Sequence, residues 1–268
     1  MGNQTKVLIT GACGNLGGKL SRHLRAQGSV SITLVDSKPA RNQQVVVSDL
    51  STYDESWVQL FRDQEVIVHL AGDPRPDAPW PSLQKHNVDA IINVYTAAVA
   101  HNVKRVVFAS SCHVVFGYSE PNLVNHESVP KPVNFYGVTK VFGERLGESY
   151  SKRHGLSVIC LRIGTIRRDE NVPNQDAYQR QRQWLSNRDF CQVAEKAMFV
   201  PDVKFATLFV TSNITNPLWD LSETRRVLDY QPKDSHIPVR PSRIIRLKGR
   251  VKRVLLRGSR KVMNLRRD

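Results

Sequence analysis

The sequence predicts an α/β protein with a doubly wound parallel sheet. Two observations support this prediction. Short apolar, β-branched runs alternate with stretches of helical periodicity along most of the 268 residues, and the segments that join them are short. Because strands joined through helices run parallel and are covered on both faces, this order predicts a buried parallel sheet.

The apolar runs are predicted strands, and most of them end in polar or glycine residues. The predicted strands are Val7–Ile9, Ile32–Val35, Val45–Val47, Val66–Leu70, Val106–Ser110, Ser157–Arg162 and Lys204–Val210. The predicted helices are a segment from Leu16, Trp57–Phe61, Ser82–His101, Tyr136–Arg153, Asp189–Phe199 with Asp189 as its cap, and Leu221–Leu228. Ligands bind outside the carboxyl ends of parallel strands, so the strand ends Gly11, Asp36, Asp49, Ala71, Ser110 and Gly164 should gather at one edge.

The first predicted strand leads into a glycine-rich turn, TGACGNLGG at residues 10–18. Gly11 permits the sharp turn, Gly14 lets the backbone approach a pyrophosphate, and Gly17 lets the helix lie close to the strand. The N–H groups at the helix N-terminus then face the anion. This context predicts dinucleotide binding. Asp36 ends the second strand; it can accept ribose hydroxyls and repels a 2′-phosphate, which favours NAD over NADP.

The formal net charge of +15 is concentrated at one end of the chain. Residues 239–268 hold twelve of the 39 Lys and Arg residues and one of the 24 acidic residues. Their apolar residues approximate a basic amphipathic helix, interrupted by Gly249 and Gly258. Docking on an anionic membrane surface or an acidic partner is one interpretation, and a solvated extension is the other. Nucleic acid is disfavoured, because no aromatic residues are interleaved for base stacking.

The four cysteines, Cys13, Cys112, Cys160 and Cys191, are scattered without paired or zinc-type spacing. This usage predicts reduced thiols in a cytoplasmic protein. We expect no membrane span and no secretory signal, because no apolar run reaches about 18 residues and the first residues are polar. No metal is predicted, since His126 and Glu127 lack ligand spacing.

Tyr136 and Lys140 are four residues apart in a predicted helix, so both stand on one face. A phenol with a pKa of about 10 is a poor base at neutral pH. We expect the Lys140 ammonium to lower the pKa of Tyr136, which makes Tyr136 a candidate acid and base for alcohol–carbonyl interconversion. Ser110 and Ser111 follow a strand and can orient a substrate oxygen, whereas His69 lies inside an apolar strand and is typical of a core residue.

The chain resembles the extended short-chain dehydrogenase/reductase family over roughly residues 6–235. The features that carry the resemblance follow one another along the chain: the glycine turn, Asp36, HLAG, the serine pair and YGVTK. The chain is similar in particular to uronate dehydrogenases, NAD-dependent enzymes that oxidise a sugar acid at carbon 1 to a lactone. The supporting segments are HLAGDPRPDAPW (69–80), FASSCH (108–113), FYGVTKVFGE (135–144), LRIGT (161–165) and WLSNRDF (184–190).

The resemblance implies a Rossmann-type doubly wound parallel sheet with a small C-terminal substrate-binding part. We expect residues 1–165 to form the NAD-binding core with the catalytic pair. Residues 166–238 should supply the substrate-binding part and the remaining core elements, and residues 239–268 the basic tail.

The resemblance also implies roles for matching residues. The implied cofactor contacts are Gly11, Gly14, Asn15, Leu16 and Gly17 at the pyrophosphate, Asp36, Asp49 and Leu50 at the adenosine, Leu70, Ala71 and Gly72 at the middle of the cofactor, and Tyr136 and Lys140 at the nicotinamide ribose. The implied catalytic residues are Ser111, Tyr136 and Lys140. The implied substrate contacts are Asp73, Ser111, Cys112 and His113.

Two positions depart from the uronate dehydrogenase pattern. Cys112 stands where those enzymes carry Asn. Counting back from Phe116, as in sugar epimerases, would even place the catalytic hydroxyl at Cys112, but the spacing to Tyr136 favours Ser111. The arginine that binds the substrate carboxylate in that branch falls on Gln179, and the adjacent Arg180 and Arg182 are replacements only if the loop shifts.

These observations predict a homo-oligomeric, NAD-dependent oxidoreductase that oxidises a sugar or sugar acid by hydride transfer. Two alternatives stay open. A nucleotide-sugar epimerase or dehydratase with bound NAD usually has a larger C-terminal part than the segment that follows Arg162. A non-catalytic dinucleotide-binding scaffold or regulator would act through the basic tail, but the Tyr136 and Lys140 pair counts against it.

Overall fold

The computed structural model describes residues 4–40, 44–118, 123–169 and 177–240. Within these residues, seven strands form one sheet whose neighbouring strands are all parallel. The strands are β1 (Thr5–Thr10), β2 (Val30–Asp36), β3 (Val46–Val47), β4 (Val66–His69), β5 (Arg105–Ser111), β6 (Ser157–Ile163) and β7 (Phe205–Val210). Their order across the sheet is β3-β2-β1-β4-β5-β6-β7. The order reverses between β1 and β4, where sheets of this kind open a crevice for ligands, and the predicted doubly wound fold is confirmed.

Helices cover both faces of this sheet. The α-helices of the described residues are α1 (Asn15–Gln27), α2 (Glu55–Val58), α3 (Trp80–Leu83), α4 (Ala90–Ala100), α5 (Phe135–His154), α6 (Tyr178–Gln181), α7 (Asn187–Phe199) and α8 (Ser222–Leu228). Helices α1 and α7 contact each other on one side, and α4 and α5 contact each other on the other side. A small second sheet pairs β8 (Asn213–Ile214) with β9 (Ser235–His236).

The core lies in two layers, one on each face of the sheet. Leu20 of α1 and Phe190 of α7 belong to one buried cluster, and Trp57 of α2 and Tyr95 of α4 belong to the other. The central strands are therefore covered on both faces, whereas Val46 and Val47 of the edge strand β3 are exposed. This burial explains why the strands appear in the sequence as continuous apolar runs rather than as alternating patterns.

The predicted helix over residues 82–101 differs from the structure in its start and its regularity. It begins at Trp80, and a π-helical segment, Gln84–Asp89, separates α3 from α4. Asn87 is buried in this segment; its Oδ1 accepts from the backbone N–H of Asp73 at 2.7 Å, and its Nδ2 donates to the Asp73 carbonyl at 3.1 Å. The irregular turn thus fixes the backbone of the loop that follows β4.

The prediction that Asp189 caps a helix is wrong. Helix α7 begins at Asn187, and the Ser186 hydroxyl accepts from the Asp189 N–H at 3.0 Å as its cap. Asp189 is fully buried, and its carboxylate accepts from the backbone N–H groups of Lys233 and Asp234 at 2.7 and 3.1 Å. A carboxylate in the first helical turn is favourable there, and here it also anchors the segment that follows α8.

The described chain reaches Arg240, so almost all of the predicted basic tail, residues 241–268, lies outside the described residues. The approach to it is fixed by Gln181, whose side chain donates to the carbonyl and accepts from the N–H of Val239. Among the described residues, no helix is long and apolar enough to cross a membrane. The cysteines are free, as predicted.

Candidate active site

A cavity of about 880 Å³ opens at the carboxyl edge of the sheet. Its wall contains every strand end that the sequence analysis expected at this edge, so that prediction is confirmed. Of the residues singled out as cofactor or substrate contacts, all but Arg180 line it. They are Gly11, Gly14, Asn15, Leu16, Gly17, Asp36, Asp49, Leu50, Leu70, Ala71, Gly72, Asp73, Ser111, Cys112, His113, Tyr136 and Lys140.

The glycine turn leaves room for a ligand because its backbone is packed too closely for side chains. Gly11 has a positive φ of 69°, and a Cβ there would lie 2.6 Å from the backbone nitrogen of Ala71. A Cβ on Gly17 would overlap the carbonyl oxygen of Gly11. Gly14 caps α1 without a side-chain hydrogen bond, so the first N–H groups of the helix stay open toward the cavity. This arrangement fits a pyrophosphate.

Two carboxylates lie at the opposite side of the glycine turn from Ser111, Tyr136 and Lys140. Asp36 accepts from the backbone N–H groups of Cys13 and Lys38 at 2.9 and 3.0 Å, which orients its carboxylate at the end of β2. Asp49 is paired with Lys85 at 2.9 Å, and hydrogen bonds from Lys85 and Ser51 lower its pKa to about 2. Asp49 is therefore charged at neutral pH, and the two carboxylates suit the hydroxyls of an adenosine ribose.

Tyr136 and Lys140 are brought together at the start of α5. Asn134 caps this helix, accepting from the Gly137 N–H at 2.7 Å. Tyr136 is 8% exposed and Lys140 is 6% exposed. The Lys140 Nζ donates to the Ala109 carbonyl at 2.9 Å and lies 5.6 Å from the centre of the Tyr136 ring. The pair faces the cavity as the helical spacing predicted.

The prediction that Lys140 lowers the pKa of Tyr136 is wrong. Burial raises the pKa of Tyr136 to about 12; contact with the Ser111 side chain lowers it in part, and the nearby Cys112 and Asp73 raise it further. Burial also lowers the pKa of Lys140 to about 8, against a smaller opposite effect of Glu144. Desolvation is the stronger effect here, so Tyr136 is a neutral phenol at pH 7.

Ser111, Cys112 and His113 form the turn that follows β5. The Ser111 Oγ accepts from the His113 N–H at 3.2 Å, while burial raises the pKa of Cys112 to about 12 and keeps it a thiol. Burial also lowers the pKa of His113 to about 4, with a contribution from the charge of Arg180. His113 is therefore neutral at pH 7. Its ring packs edge-on against Tyr136, and its Nδ1 lies 3.0 Å from the Asn134 amide.

Asp73, a predicted substrate contact, is engaged by its own loop. Arg75 donates to its carboxylate through Nε at 2.9 Å and Nη2 at 2.6 Å, and the Ser82 hydroxyl donates at 2.7 Å. The pair with Arg75 is the main cause that lowers the pKa of Asp73. Arg75 also lines the cavity but was not among the predicted site residues. Its place two residues after Asp73 was the available signal.

The arginines near α6 do not lie where a substrate contact was expected. Arg180 is exposed and does not line the cavity, although its charge reaches His113. Arg182 donates to the carbonyls of Asn216 and Pro217, at 2.7 and 3.0 Å, and so holds a neighbouring loop. Arg168, which sequence analysis also passed over, lines the cavity instead.

His69 is a core residue, as predicted. It is 1% exposed, its Nδ1 lies 2.8 Å from the Thr10 hydroxyl, and burial lowers its pKa to about 3. The ring therefore carries no charge at physiological pH. Within the described part of the chain, no group of three or more His, Cys, Asp or Glu side chains is placed to hold a metal ion.

Comparison with known proteins agrees with this geometry. The chain is 32% identical over 254 residues to the L-arabinose 1-dehydrogenase (NAD(P)(+)) of Haloferax volcanii, covering 87% of this chain and 98% of that protein. It is 30% identical over 234 residues to the uronate dehydrogenase of Pseudomonas syringae pv. tomato, covering 86% and 82% of the two chains. The fold matches a uronate dehydrogenase variant from Agrobacterium tumefaciens complexed with NAD, with a TM-score of 0.78, 27% identity, and coverage of 87% and 86%. The sequence model of the NAD dependent epimerase/dehydratase family matches residues 7–197, and the chain belongs to this family.

Proposed function

We propose that this protein is an NAD-dependent dehydrogenase that oxidises a hydroxyl group of a sugar or sugar acid. The observation that carries the proposal is one cavity that has the glycine turn and Asp36 on one side and Ser111, Tyr136 and Lys140 on the other. The dehydrogenase activities named for the two relatives support it. When bound, NAD supplies the acceptor for the hydride that leaves the substrate carbon.

The proposed cofactor contacts follow the wall of the cavity. Gly11, Gly14, Asn15, Leu16 and Gly17 would hold the pyrophosphate, Asp36, Asp49 and Leu50 the adenosine, and Leu70, Ala71 and Gly72 the middle of the cofactor. Tyr136 and Lys140 would hold the nicotinamide ribose. The charge of Asp36 repels a 2′-phosphate, so NAD is preferred over NADP.

The proposed chemistry is a proton transfer at the oxygen of Tyr136. Tyr136 acts as its phenolate: it first releases its own proton to water, and the phenolate oxygen then takes the proton of the substrate hydroxyl, while the Ser111 hydroxyl holds the same substrate oxygen in place. The Lys140 ammonium stabilises this phenolate, which burial of the phenol otherwise disfavours. His113, being neutral, and Cys112, being a thiol, contribute hydrogen bonds and shape rather than charge. Residues 166–238 would complete the substrate side, with Arg180 reaching it only if its loop moves.

The experiment compares NADH formation by the full chain and by Tyr136→Phe over a panel of uronates and aldoses. The variant should lose at least about 100-fold in kcat, because it lacks the proton acceptor. Tyr150→Phe is the matched control: it lies on the same helix, and its hydroxyl contacts Thr96 away from the cavity. If no sugar gives NADH above the Tyr136→Phe level, the proposal is wrong. Tightly bound NAD that recycles on a nucleotide sugar would support an epimerase instead.

We further propose that the enzyme is a homo-oligomer. Exposed apolar side chains cluster on α3, α4 and α5, namely Trp80, Ile92, Phe135, Val138 and Phe142. The rings of Trp80 and Phe135 contact each other, and residues 135, 138 and 142 recur at helical spacing. An exposed apolar face of this kind is typical of an interface. Light scattering should give a multiple of the 30.4 kDa chain mass, and a monomer at micromolar concentration would contradict this proposal.

The basic segment 239–268 is proposed to dock on an anionic membrane surface or an acidic partner, as an addition to the enzyme's activity. Its excess of Lys and Arg supports electrostatic attraction to anionic lipid. We place the enzyme in the cytoplasm, which suits the free thiols of the described residues.

A further inference from the structure

We propose that Arg75, held in place by Asp73, is an anion-binding subsite for the carboxylate or phosphate of an acidic sugar. This inference rests on the proposed dehydrogenase function and narrows its substrate class. It also changes the role of Asp73, from a residue that touches the substrate to one that positions Arg75.

The loop that carries both residues is fixed on two sides. The Asn87 side chain binds the backbone of Asp73 through both its amide atoms, and Asn87 also donates to the Thr139 hydroxyl at 3.3 Å. The Asp73 side chain is only 6% exposed. Its position is therefore set by α5 and by the π-helical segment, not by the loop alone.

The guanidinium of Arg75 has donors left over after it binds Asp73. Arginine carries five N–H groups, and the bidentate pair uses one on Nε and one on Nη2. The remaining N–H groups lie on a side chain that is 62% exposed and lines the cavity. Among the described residues, Arg75 makes ion pairs and side-chain hydrogen bonds with Asp73 alone, although the charge of Asp77 also favours its ionised form. A fixed fork of this kind matches carboxylate and phosphate oxygens.

The charges around this end of the cavity also favour an anion. Lys140 lies beside Tyr136 at this end, and the charge of Arg180 reaches His113. Asp73 and Arg75 compensate each other, the charge of Asp77 acts on Arg75, and His113 is neutral at pH 7. Lys140 and Arg180 therefore supply positive charge that favours an acidic substrate.

Asp73 also connects the subsite to the reacting group. Its charge is one of those that raise the pKa of Tyr136, so the Asp73 carboxylate lies within electrostatic range of the phenol. A sugar whose carbon 1 faces Tyr136 carries its carboxylate or phosphate on carbon 6, across the ring. The subsite would hold that remote group and thereby fix the orientation of carbon 1.

The test uses three sugars that differ at carbon 6: glucose, glucuronate and glucose 6-phosphate. The full-length protein with NAD should have a higher kcat/KM for at least one acidic sugar than for glucose, and comparison of the two acids decides between carboxylate and phosphate. In Arg75→Gln, kcat/KM for the preferred acid should fall by about 30- to 100-fold, mainly through KM, because a charge-assisted pair is lost. The loss for glucose should be at least tenfold smaller, and Arg75→Lys should retain part of the preference.

Two variants make the result specific. Arg153→Gln removes the same charge from the exposed far end of α5 and controls for net charge. Arg180→Gln tests the competing arginine. The inference is overturned if glucose is the better substrate of the unmodified protein, if Arg75→Gln lowers all three kcat/KM values equally, or if Arg180→Gln alone removes the preference.

A binding measurement separates this inference from the proposed function. Glucuronate or glucose 6-phosphate should raise the melting temperature of the NAD-loaded protein, and Arg75→Gln should abolish that shift. If no sugar yields NADH, the dehydrogenase proposal fails while the melting shift still tests the anion subsite. Equal shifts in Arg75→Gln and the unmodified protein, or no shift in either, overturn the subsite.

Discussion

Lys140 holds an ammonium group inside the protein, where 6% of the residue is exposed. Burial lowers its pKa from 10.5 to about 8, so at pH 7 the native state keeps a charge that the unfolded chain would hold more easily. The only hydrogen bond found for its Nζ within the described residues goes to the Ala109 carbonyl. Stability is therefore lowered at the same residue that supports the proposed chemistry.

We expect Lys140→Met to be more stable than the unmodified protein at pH 7, and inactive. The pKa shift corresponds to about 3 kcal/mol, and the Ala109 carbonyl left without a partner offsets about 1 kcal/mol. The net gain in free energy of unfolding is about 2 kcal/mol, measured by urea denaturation. The control is Lys204→Met, at an exposed lysine, which should change stability by less than about 0.5 kcal/mol.

The pH dependence of that difference checks its cause. Native Lys140 releases its proton near pH 8, whereas the unfolded chain retains it to about pH 10.5. The unmodified protein therefore gains stability as pH rises between these values, relative to the variant. The advantage of Lys140→Met should shrink from pH 8 to pH 10.5. An advantage that stays constant over this range would show that packing, not charge burial, is responsible.

Some properties of single residues could be predicted from the sequence, and others could not. The motif around Tyr136 and Lys140 predicted which side chains meet, because helical spacing alone puts them on one face. It did not predict that the pKa of Tyr136 is raised, since burial by elements far away in sequence sets that value. Asp73 was predicted because the segment HLAGDPRPDAPW (69–80) resembles that of uronate dehydrogenases. Its partner Arg75 was not, because a bidentate contact depends on the conformation of the loop.

At the scale of one element, helix α1 contains two adjacent glycines, Gly17 and Gly18, that differ in the space available for a side chain. A Cβ on Gly17 would overlap the Gly11 carbonyl oxygen and lie 2.7 Å from the Ala12 Cα, both backbone atoms that cannot move aside. On Gly18 the nearest atom would be 3.9 Å away. An alanine at position 17 therefore tests close packing, and an alanine at position 18 tests helix propensity.

We expect Gly17→Ala to lower the free energy of unfolding by about 1–3 kcal/mol, as overpacking does, and to weaken NAD binding. Gly18→Ala should instead raise stability by up to about 1 kcal/mol, because alanine is the better helix former. Chemical denaturation and a fluorescence titration with NAD measure the two effects. Equal behaviour of both variants would show that the approach of α1 to the glycine turn is not the constraint.

Elements were predicted well where local pattern determines them. The β-strands and the main helices follow from apolar runs and periodicity, and their ends shift by only a few residues. The π-helical segment Gln84–Asp89 and the cap of α7 were missed. The Asn87 side chain is hydrogen-bonded to the backbone of Asp73. The Asp189 carboxylate accepts hydrogen bonds from the backbone N–H groups of residues 233 and 234. These contacts join distant parts of the chain, so a window of sequence does not contain them.

For the whole molecule, charge is distributed in two unequal parts. Eleven of the 39 basic residues and one of the 24 acidic residues lie in residues 241–268, so that segment carries +10 of the formal +15. The remaining chain, which contains the sheet and the cavity, carries +5. Electrostatic attraction to an anionic surface should therefore belong to the segment beyond Arg240, and dehydrogenase activity to the rest.

A variant that ends at Arg240 tests this separation. The full chain should sediment with vesicles that contain phosphatidylserine, and less so as salt is raised, because exposed charges are screened. The shortened chain should not sediment, while its kcat/KM for the preferred sugar stays within about twofold, since the described residues that line the cavity all precede Arg240. Vesicles of phosphatidylcholine alone are the control. Equal sedimentation of both chains would place the binding surface on the body of the enzyme, and failure of the full chain to bind would favour a solvated extension.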